Sequence, residues 1–413
     1  MRLTTTFLWK ERDAARRYRA AVSLHAHTNH SQEKMIFFPP LMRCCKLGRV
    51  LLQAIESRHR KNRNEDVNYS SAWWRPPLSP REVYDSEQKQ ISAMGVGRAY
   101  VSITDHDQVS ACRKLCVGIP LLDVPISEEW TVPFGDGPSP AKFHLGIHNL
   151  PADRAVEWHK ALSAYTQRPS RKKLRFLLEV LSSCKGVLVV LNHPFSDEGH
   201  IGRRMHEATL LEFLSFCGPL IHALELNGMQ RWGSNVRVGH LAREYGYPVV
   251  SGGDRHGLEP NSILNLTNAE SFEAFVHEIR VAKRSNILFM PQCKRNYAVR
   301  MMRNIHDVIG AHRGRRWKDR VFYRFSDGTV LSLAKIWKDA GHVIFGIDMA
   351  VTFFAALATP LGRFILHLGL PHTRDHDVAE MREAVQRDGE LVPENSLQHK
   401  PIVPMEPVNE VVV

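Results

Sequence analysis

Two pairs of side chains able to chelate a metal stand one residue apart, His25-Ala26-His27 and Asp254-Arg255-His256. In an extended strand, residues two apart face the same way, so both members of such a pair reach one ion. Either pair alone is a weak signal in a chain with 22 histidines, because exposed loop histidines give the same pattern by chance. Each pair, however, closes a short apolar run. Ala21-Val22-Ser23-Leu24 precedes the first; Pro248-Val249-Val250 and then Ser251-Gly252-Gly253 precede the second, and such glycines let backbone pass close to a ligand. Two further runs end in Thr104-Asp105-His106-Asp107 and Leu191-Asn192-His193-Pro194. Four strand ends bearing histidine beside an acid or amide point to one shared imidazole and carboxylate cluster, a donor set that accepts Zn, Mn or Fe.

The elements that must position these residues are legible as an alternation. Between residues 21 and 256, β-rich runs alternate with helical periods such as Leu174, Leu177, Leu178 and Leu181; beyond them Phe272, Phe275, Val276 and Ile279 share another helical face. The pattern predicts an α/β fold of parallel strands and crossover helices, with the functional groups on one rim at the strand C-termini. Glu225 and Asn227 close another run and add polarity to that rim. Residues 32–84 interrupt the rhythm with a basic segment (Arg43, Lys46, Arg49, Arg58, Arg60, Lys61, Arg63) and Trp73-Trp74; the scaffold resumes at Ser79-Pro80-Arg81-Glu82, a capping-box helix start.

Lys and Arg outnumber Asp and Glu by 55 to 43, a formal net charge of +12, so the surface favours anionic partners such as phosphorylated metabolites or nucleic acid. The basic segment and its tryptophans offer single-stranded nucleic acid both cations and stacking faces, although a solvated helix and loop account for the same residues. Seven cysteines, an odd number with no CxxC, are not a disulfide framework, and the vicinal Cys44-Cys45 suits a reducing compartment. The first 20 residues lack a signal-peptide core, which places the expectation in the cytoplasm. The uncharged run Met349–Gly362 falls short of the roughly 20 residues of a spanning helix, so no transmembrane span is expected. A buried helix broken near Pro360 is the primary reading, with peripheral membrane contact by residues 343–370 as the alternative. The expected layout is an N-terminal segment (1–20), a catalytic domain (21–290) carrying the insert, a C-terminal extension (291–387) and a disordered tail (388–413).

Taken in order, the motifs resemble those of the PHP (polymerase and histidinol phosphatase) superfamily. LHAHTNHS (24–31), ITDHD (103–107), Glu129-Trp130-Thr131, His144-Leu145-Gly146, LNHP (191–194) and GGDRHG (252–257) follow the family's succession over roughly residues 20–290. The resemblance implies a distorted seven-stranded (βα) barrel, here with a helical or irregular C-terminal extension, and two or three divalent ions. One ion would be held by His25, His27, Glu129 and Asp254, a second by Glu129, His144 and His193, and a third by His106 and His256. The family's further ligand to the third site falls where this chain has Gln32 and Glu33, of which Glu33 is the better donor. Glu128 is the alternative to Glu129 and would shift the register by one. Asp105 and Asp107 are read as orienting or helix-capping groups, while His30, His148 and His200 are read as non-ligands. Among Arg203, Arg204, Arg231 and Arg255, the foremost candidate phosphate clamps are Arg204 and Arg255.

Such a centre activates water and neutralises charge on a phosphoryl group without a side-chain nucleophile. The expected activity is hydrolysis of phosphate esters, on a phosphorylated small molecule, a nucleotide or an oligonucleotide end. The alternatives are an amidohydrolase-like C–N hydrolase, and a non-catalytic nucleic-acid- or partner-binding protein on the same scaffold.

Overall fold

The structure, a computed structural model, describes residues 3–9, 15–43, 46–118, 124–135, 137, 139–340 and 381. The apolar run within 343–370, the tail from residue 388 and the Cys44-Cys45 pair lie outside these residues. The described strands are β1 (Thr4–Trp9), β2 (Ala20–Ser23), β3 (Glu33–Lys34), β4 (Ala72–Trp74), β5 (Arg98–Val101), β6 (Glu128–Phe134), β7 (Ala141–His148), β8 (Leu188–Asn192), β9 (Ala223–Asn227), β10 (Val249–Gly252), β11 (Ile263–Thr267), β12 (Arg284–Phe289), β13 (Val321–Arg324) and β14 (Val330–Ser332).

The fold is mixed α/β, but its sheets are not closed into a seven-stranded barrel. One five-stranded sheet has the order β1-β12-β11-β2-β5, and a second has the order β10-β9-β8-β7-β6. Strand pairing between them is interrupted: the ladder contacts that link them among the described residues are isolated parallel bridges, Ala26 with Arg255 and His106 with Glu129. The local reason is visible in the backbone. β2 and β10 run for four residues each, and just past their ends His25 and Asp254 take φ values of +63° and +50°, which a continuing strand cannot hold.

Nor are all the strands parallel. β7 pairs antiparallel with both β6 and β8, and β11 pairs antiparallel with β2 and β12. Connection length decides this for β6 and β7. Six residues join β6 to β7, fewer than the dozen or so a parallel crossover needs, and Gly135 and Gly137 supply left-handed turn positions at φ +106° and +105°.

The helices follow the periodicity. Arg171–Ser183 buries Leu174, Leu177, Leu178 and Leu181, and Phe272–Arg280 buries Phe272, Phe275, Val276 and Ile279, each side chain contributing about 1.5–3 kcal/mol. Ser79 and Glu82 form both halves of the capping box on the helix Pro80–Ser92.

The segments that interrupt or flank the alternation join the scaffold by strand pairing. β1 lies parallel to β12 in the first large sheet. β3 and β4, from the basic segment, share a four-stranded sheet with β13 and β14 from beyond residue 291. Strand alternation splits the two tryptophans: Trp73 is buried and stacks on Phe322 with ring centroids 5.8 Å apart, so it offers no face to a nucleic-acid base. Trp74 instead sits beside His256, centroids 5.7 Å apart.

Candidate metal centre

The two isolated bridges mark where the site lies. At this end of the sheets the chain is pinned by Gly253 N–H to Leu24 O (3.1 Å), Asp254 N–H to His25 O (2.8 Å), His27 N–H to Arg255 O (3.0 Å) and Asp107 N–H to Glu129 O (2.9 Å). His25, His193 and Asp254 all have positive φ, +63°, +27° and +50°. Non-glycine residues held in this region store strain, and three of them converging on one cluster is the signature of a functional constraint. The two glycines before Asp254 are required sterically: a Cβ on Gly252 would fall 1.6 Å from the Glu225 carboxylate, and one on Gly253 would fall 1.7 Å from Asn261 Oδ1.

Glu129 is the hub. It is fully buried, with Oε1 3.4 Å from His144 Nδ1 and 3.2 Å from His193 Nε2. Its other oxygen, Oε2, lies 3.1 Å from His25 Nε2, 3.3 Å from His27 Nε2 and 3.1 Å from His106 Nδ1. Asp254 Oδ1 lies 3.5 Å from His25 Nε2, 3.4 Å from His27 Nε2 and 3.5 Å from His256 Nδ1. Glu33 Oε2 is 3.2 Å from both His106 Nε2 and His256 Nε2. All nine ligand candidates therefore converge, Glu33 among them. Gln32 stands at the cavity wall instead.

Donor atoms within 4.8 Å of one another fall into four overlapping groups: His27, Glu33, His106 and His256; His25, His193 and Asp254; His25, His27 and Glu129; His106, Glu129 and His144. These cut across the three sets that the resemblance implies. His193 groups with His25 and Asp254, and His106 with Glu129 and His144.

The donor set fits divalent ions. Glu129 Oε2 and His144 Nδ1 are buried with no hydrogen-bond partner, although each has oppositely polar atoms around it. Burying a carboxylate oxygen in that condition costs several kcal/mol unless a cation compensates it. Burial disfavours the charged ring of His25, yet Glu129, Glu225 and Asp254 overcome this and raise its pKa well above the ordinary value. Burial likewise opposes the charged form of His193, but hydrogen bonding and charge from Glu129 bring it up to about 9. For His27, burial and the neighbouring His256 win, lowering it to about 3. The carboxylates draw positive charge into the cluster, and it sits unevenly on the rings.

A second layer fixes the first. Glu225 accepts from His25 Nδ1, His193 N–H (2.8 Å) and Asn227 Nδ2 (2.9 Å), and Asn227 also donates to Asp254 Oδ2 at 3.2 Å. Asn192 Nδ2 donates to Glu129 Oε1 at 2.9 Å. Ser31 Oγ donates to Glu33 Oε1 at 2.6 Å and accepts from His106 N–H at 3.1 Å. Asp105 accepts from Thr28 N–H and Oγ1 at 2.6 and 2.7 Å, and Asp107 accepts from Thr131 N–H at 2.9 Å, so both hold loops. Glu128 faces away on the other side of β6, 2.8 Å from His159 Nδ1, so it is Glu129 that meets the imidazoles of the cluster. His30 bonds Ser110 Oγ at 2.9 Å and His148 bonds Ser102 Oγ at 2.8 Å.

The arginines are corrected. Arg255 is buried, 2.7 Å from Glu87 Oε1, and donates to Ser86 Oγ and to the carbonyls of Gly257 and Leu258. It points away from its neighbours Asp254 and His256, as alternation requires, and cannot clamp a substrate phosphate. Arg204 is exposed on the first turn of the helix Arg203–Cys217 and does not line the cavity over the cluster. Arg203 pairs with Glu207, and Arg231 stacks over Tyr297. That cavity, of about 380 Å³, is bounded by Glu33, His106 and His144 on the metal side and by Lys34, Trp74, Lys142, Glu198 and His200 elsewhere. Lys34 and Lys142 carried no sequence signal beyond membership of strands next to motif residues.

Among the described residues, no helix is long and apolar enough to cross a membrane. No family model matches the chain, and no curated protein matches it. Two of the solved structures that are similar to parts of it are the following. One is an amidohydrolase from Chromobacterium violaceum with bound sulfate and no metal: 14% identity, 44% of this chain, 83% of that chain, TM-score 0.30. The other is a Bifidobacterium adolescentis protein with a proposed metal-dependent phosphoesterase activity: 15% identity, 51% of this chain, 92% of that chain, TM-score 0.32. At these scores neither likeness bears on what this chain does, and the geometry of its own site carries the reading.

Proposed function

We propose that this chain is a metal-dependent hydrolase of phosphate esters, with His25, His27, Glu33, His106, Glu129, His144, His193, Asp254 and His256 as the ligands of a cluster of divalent ions. The observation that carries it is the buried Glu129 carboxylate, which faces five imidazoles and leaves Oε2 without a hydrogen bond. Those residues would hold Zn, Mn or Fe, which would supply Lewis acidity for activating water and neutralising phosphoryl charge. The chain's own residues do the positioning. Glu225 holds the tautomer and orientation of His25 while fixing the backbone of His193, and Ser31 aims Glu33 at His106 and His256. Trp74 stands beside His256 at one edge of the cavity, ring centroids 5.7 Å apart. The formal charge of +12 favours an anionic phosphate ester over a neutral amide or lactone.

The test is a panel of phosphomonoesters, phosphodiesters, amides and lactones presented to the full chain reloaded with Mn, Zn or Fe. Turnover of phosphate esters that disappears in His25→Ala and Asp254→Ala is the expected result. Turnover of amides or lactones alone would replace this reading with C–N or C–O acyl hydrolysis. Salt-sensitive nucleic-acid binding that survives chelation, with no turnover of any substrate, would make the chain a binding protein.

A further inference from the structure

We propose that Lys34 and Lys142 form a second anion subsite, so that the substrate carries, beyond the scissile phosphate, another anionic group some way along its leaving portion. This rests on the phosphoesterase reading and specifies its substrate class. Lys34 comes from the basic segment on β3, and Lys142 comes from the scaffold on β7; both line the cavity that opens on His106, His144 and Glu33. Lys142 and His144 lie two apart on β7 and share a face, which sets their Cα atoms about 7 Å apart along the strand. The lysine therefore stands one step from the metal side of the cavity, beyond the place where ions would already neutralise the reacting phosphate.

Among the described residues, neither lysine has a carboxylate within ion-pair distance. Asp107, which shares the cavity wall, spends Oδ1 on the backbone N–H of Thr131 at 2.9 Å. Lys34 and Lys142 thus set two cations on the wall of one cavity, where the acids beside them are Asp107 and Glu198. Like charges drawn from two separate stretches of chain, β3 and β7, favour an anion held between them. Phosphate and carboxylate share this chemistry, and the substrates below separate them.

The experiment compares the metal-loaded enzyme with Lys34→Gln and Lys142→Gln on three substrates: butane-1,4-diol monophosphate, the corresponding bisphosphate, and a monophosphate of equal length ending in a carboxylate. The expected result is a KM for the bisphosphate raised about tenfold in each variant, the loss of a charged hydrogen bond. Values for the simple monophosphate and the metal content stay unchanged. A matching rise for the carboxylate substrate makes the subsite a general anion pocket; no rise there makes it phosphate-selective. Equal effects on all three substrates, or no effect on the bisphosphate, would overturn the proposal. Should no phosphate ester turn over, the phosphoesterase reading fails by itself, and the subsite is judged by pyrophosphate binding. A Kd for pyrophosphate weakened about tenfold in the double variant supports it, and an unchanged Kd rejects it.

Discussion

Two buried charged clusters flank the segment Asp254–His256, and they are built on opposite terms. On one side Arg255 meets Glu87 at 2.7 Å, and of its guanidinium nitrogens only Nε lacks a hydrogen-bond partner. Glu87 Oε1 also accepts from Asn261 N–H at 2.9 Å, Glu87 Oε2 accepts from Ser23 Oγ at 3.1 Å, and Arg255 donates onward to Ser86, Gly257 and Leu258. On the other side Glu129 faces five imidazoles, and its Oε2 is left with no hydrogen bond. One cluster is almost complete within the protein, and the other is complete only with cations added. The difference separates a structural ion pair from a site, although both carry charge, burial and nearby motif residues.

The largest expected effect breaks the closed cluster. Arg255→Met leaves Glu87 buried without its cation and should cost about 3–5 kcal/mol in urea unfolding. Arg255→Met with Glu87→Leu should recover most of that loss, because both charges leave together. If the single variant is as stable as the parent, Arg255 does not act as the anchor of the 254–258 loop.

Weakening the layer between the clusters comes next. Glu225→Gln keeps the size of the side chain but removes the charge behind His25 and should lower metal affinity about 10- to 100-fold, read by competition with a chelating dye. Arg280→Lys, distant from both clusters, serves as the control with unchanged affinity.

A buried histidine with no carboxylate partner sharpens the contrast further. His222 accepts from Val189 N–H at 2.9 Å and lies near Arg280 and Lys283; burial first, then those cations, lower its pKa to about 3, whereas His193 beside Glu129 is raised to about 9. The folded chain therefore keeps His222 neutral while the unfolded chain protonates it near pH 6.5. That contribution to stability is fully present above about pH 6.5 and is lost as pH drops toward 3, the loss reaching about 2 kcal/mol at pH 5. His222→Gln should flatten the stability profile between pH 7 and 5, and an unaltered slope would contradict the assignment.

Much of the candidate site was legible because the HxH and DxH pairs bring two donors each to the ends of apolar runs, and those runs announce the strand ends even though His25 and Asp254 lie just past them. Arg255 was misread for the same reason that its neighbours were found. Alternation sends the middle residue of Asp254-Arg255-His256 to the opposite side, and an arginine between two ligands resembles a clamp only if that is overlooked. The parallel barrel was not legible as false, since an apolar run looks alike in either direction. The six-residue connection after Phe134 was the one signal against it. The pairing of β4 with β13 was hidden because three- and four-residue strands more than 240 positions apart leave no periodicity to read. Lys34 and Lys142 were hidden because cavity walls are assembled by tertiary packing.

The central claim is that Glu129 is the shared carboxylate of a multi-ion centre. Elemental analysis of the purified chain and of Glu129→Gln, with folding checked by circular dichroism, tests it most directly. The expected result is more than one equivalent of Zn, Mn or Fe per parent chain and a loss of bound metal in the folded variant. An identical metal content in both, or a parent chain that binds no divalent ion when reloaded, would contradict it.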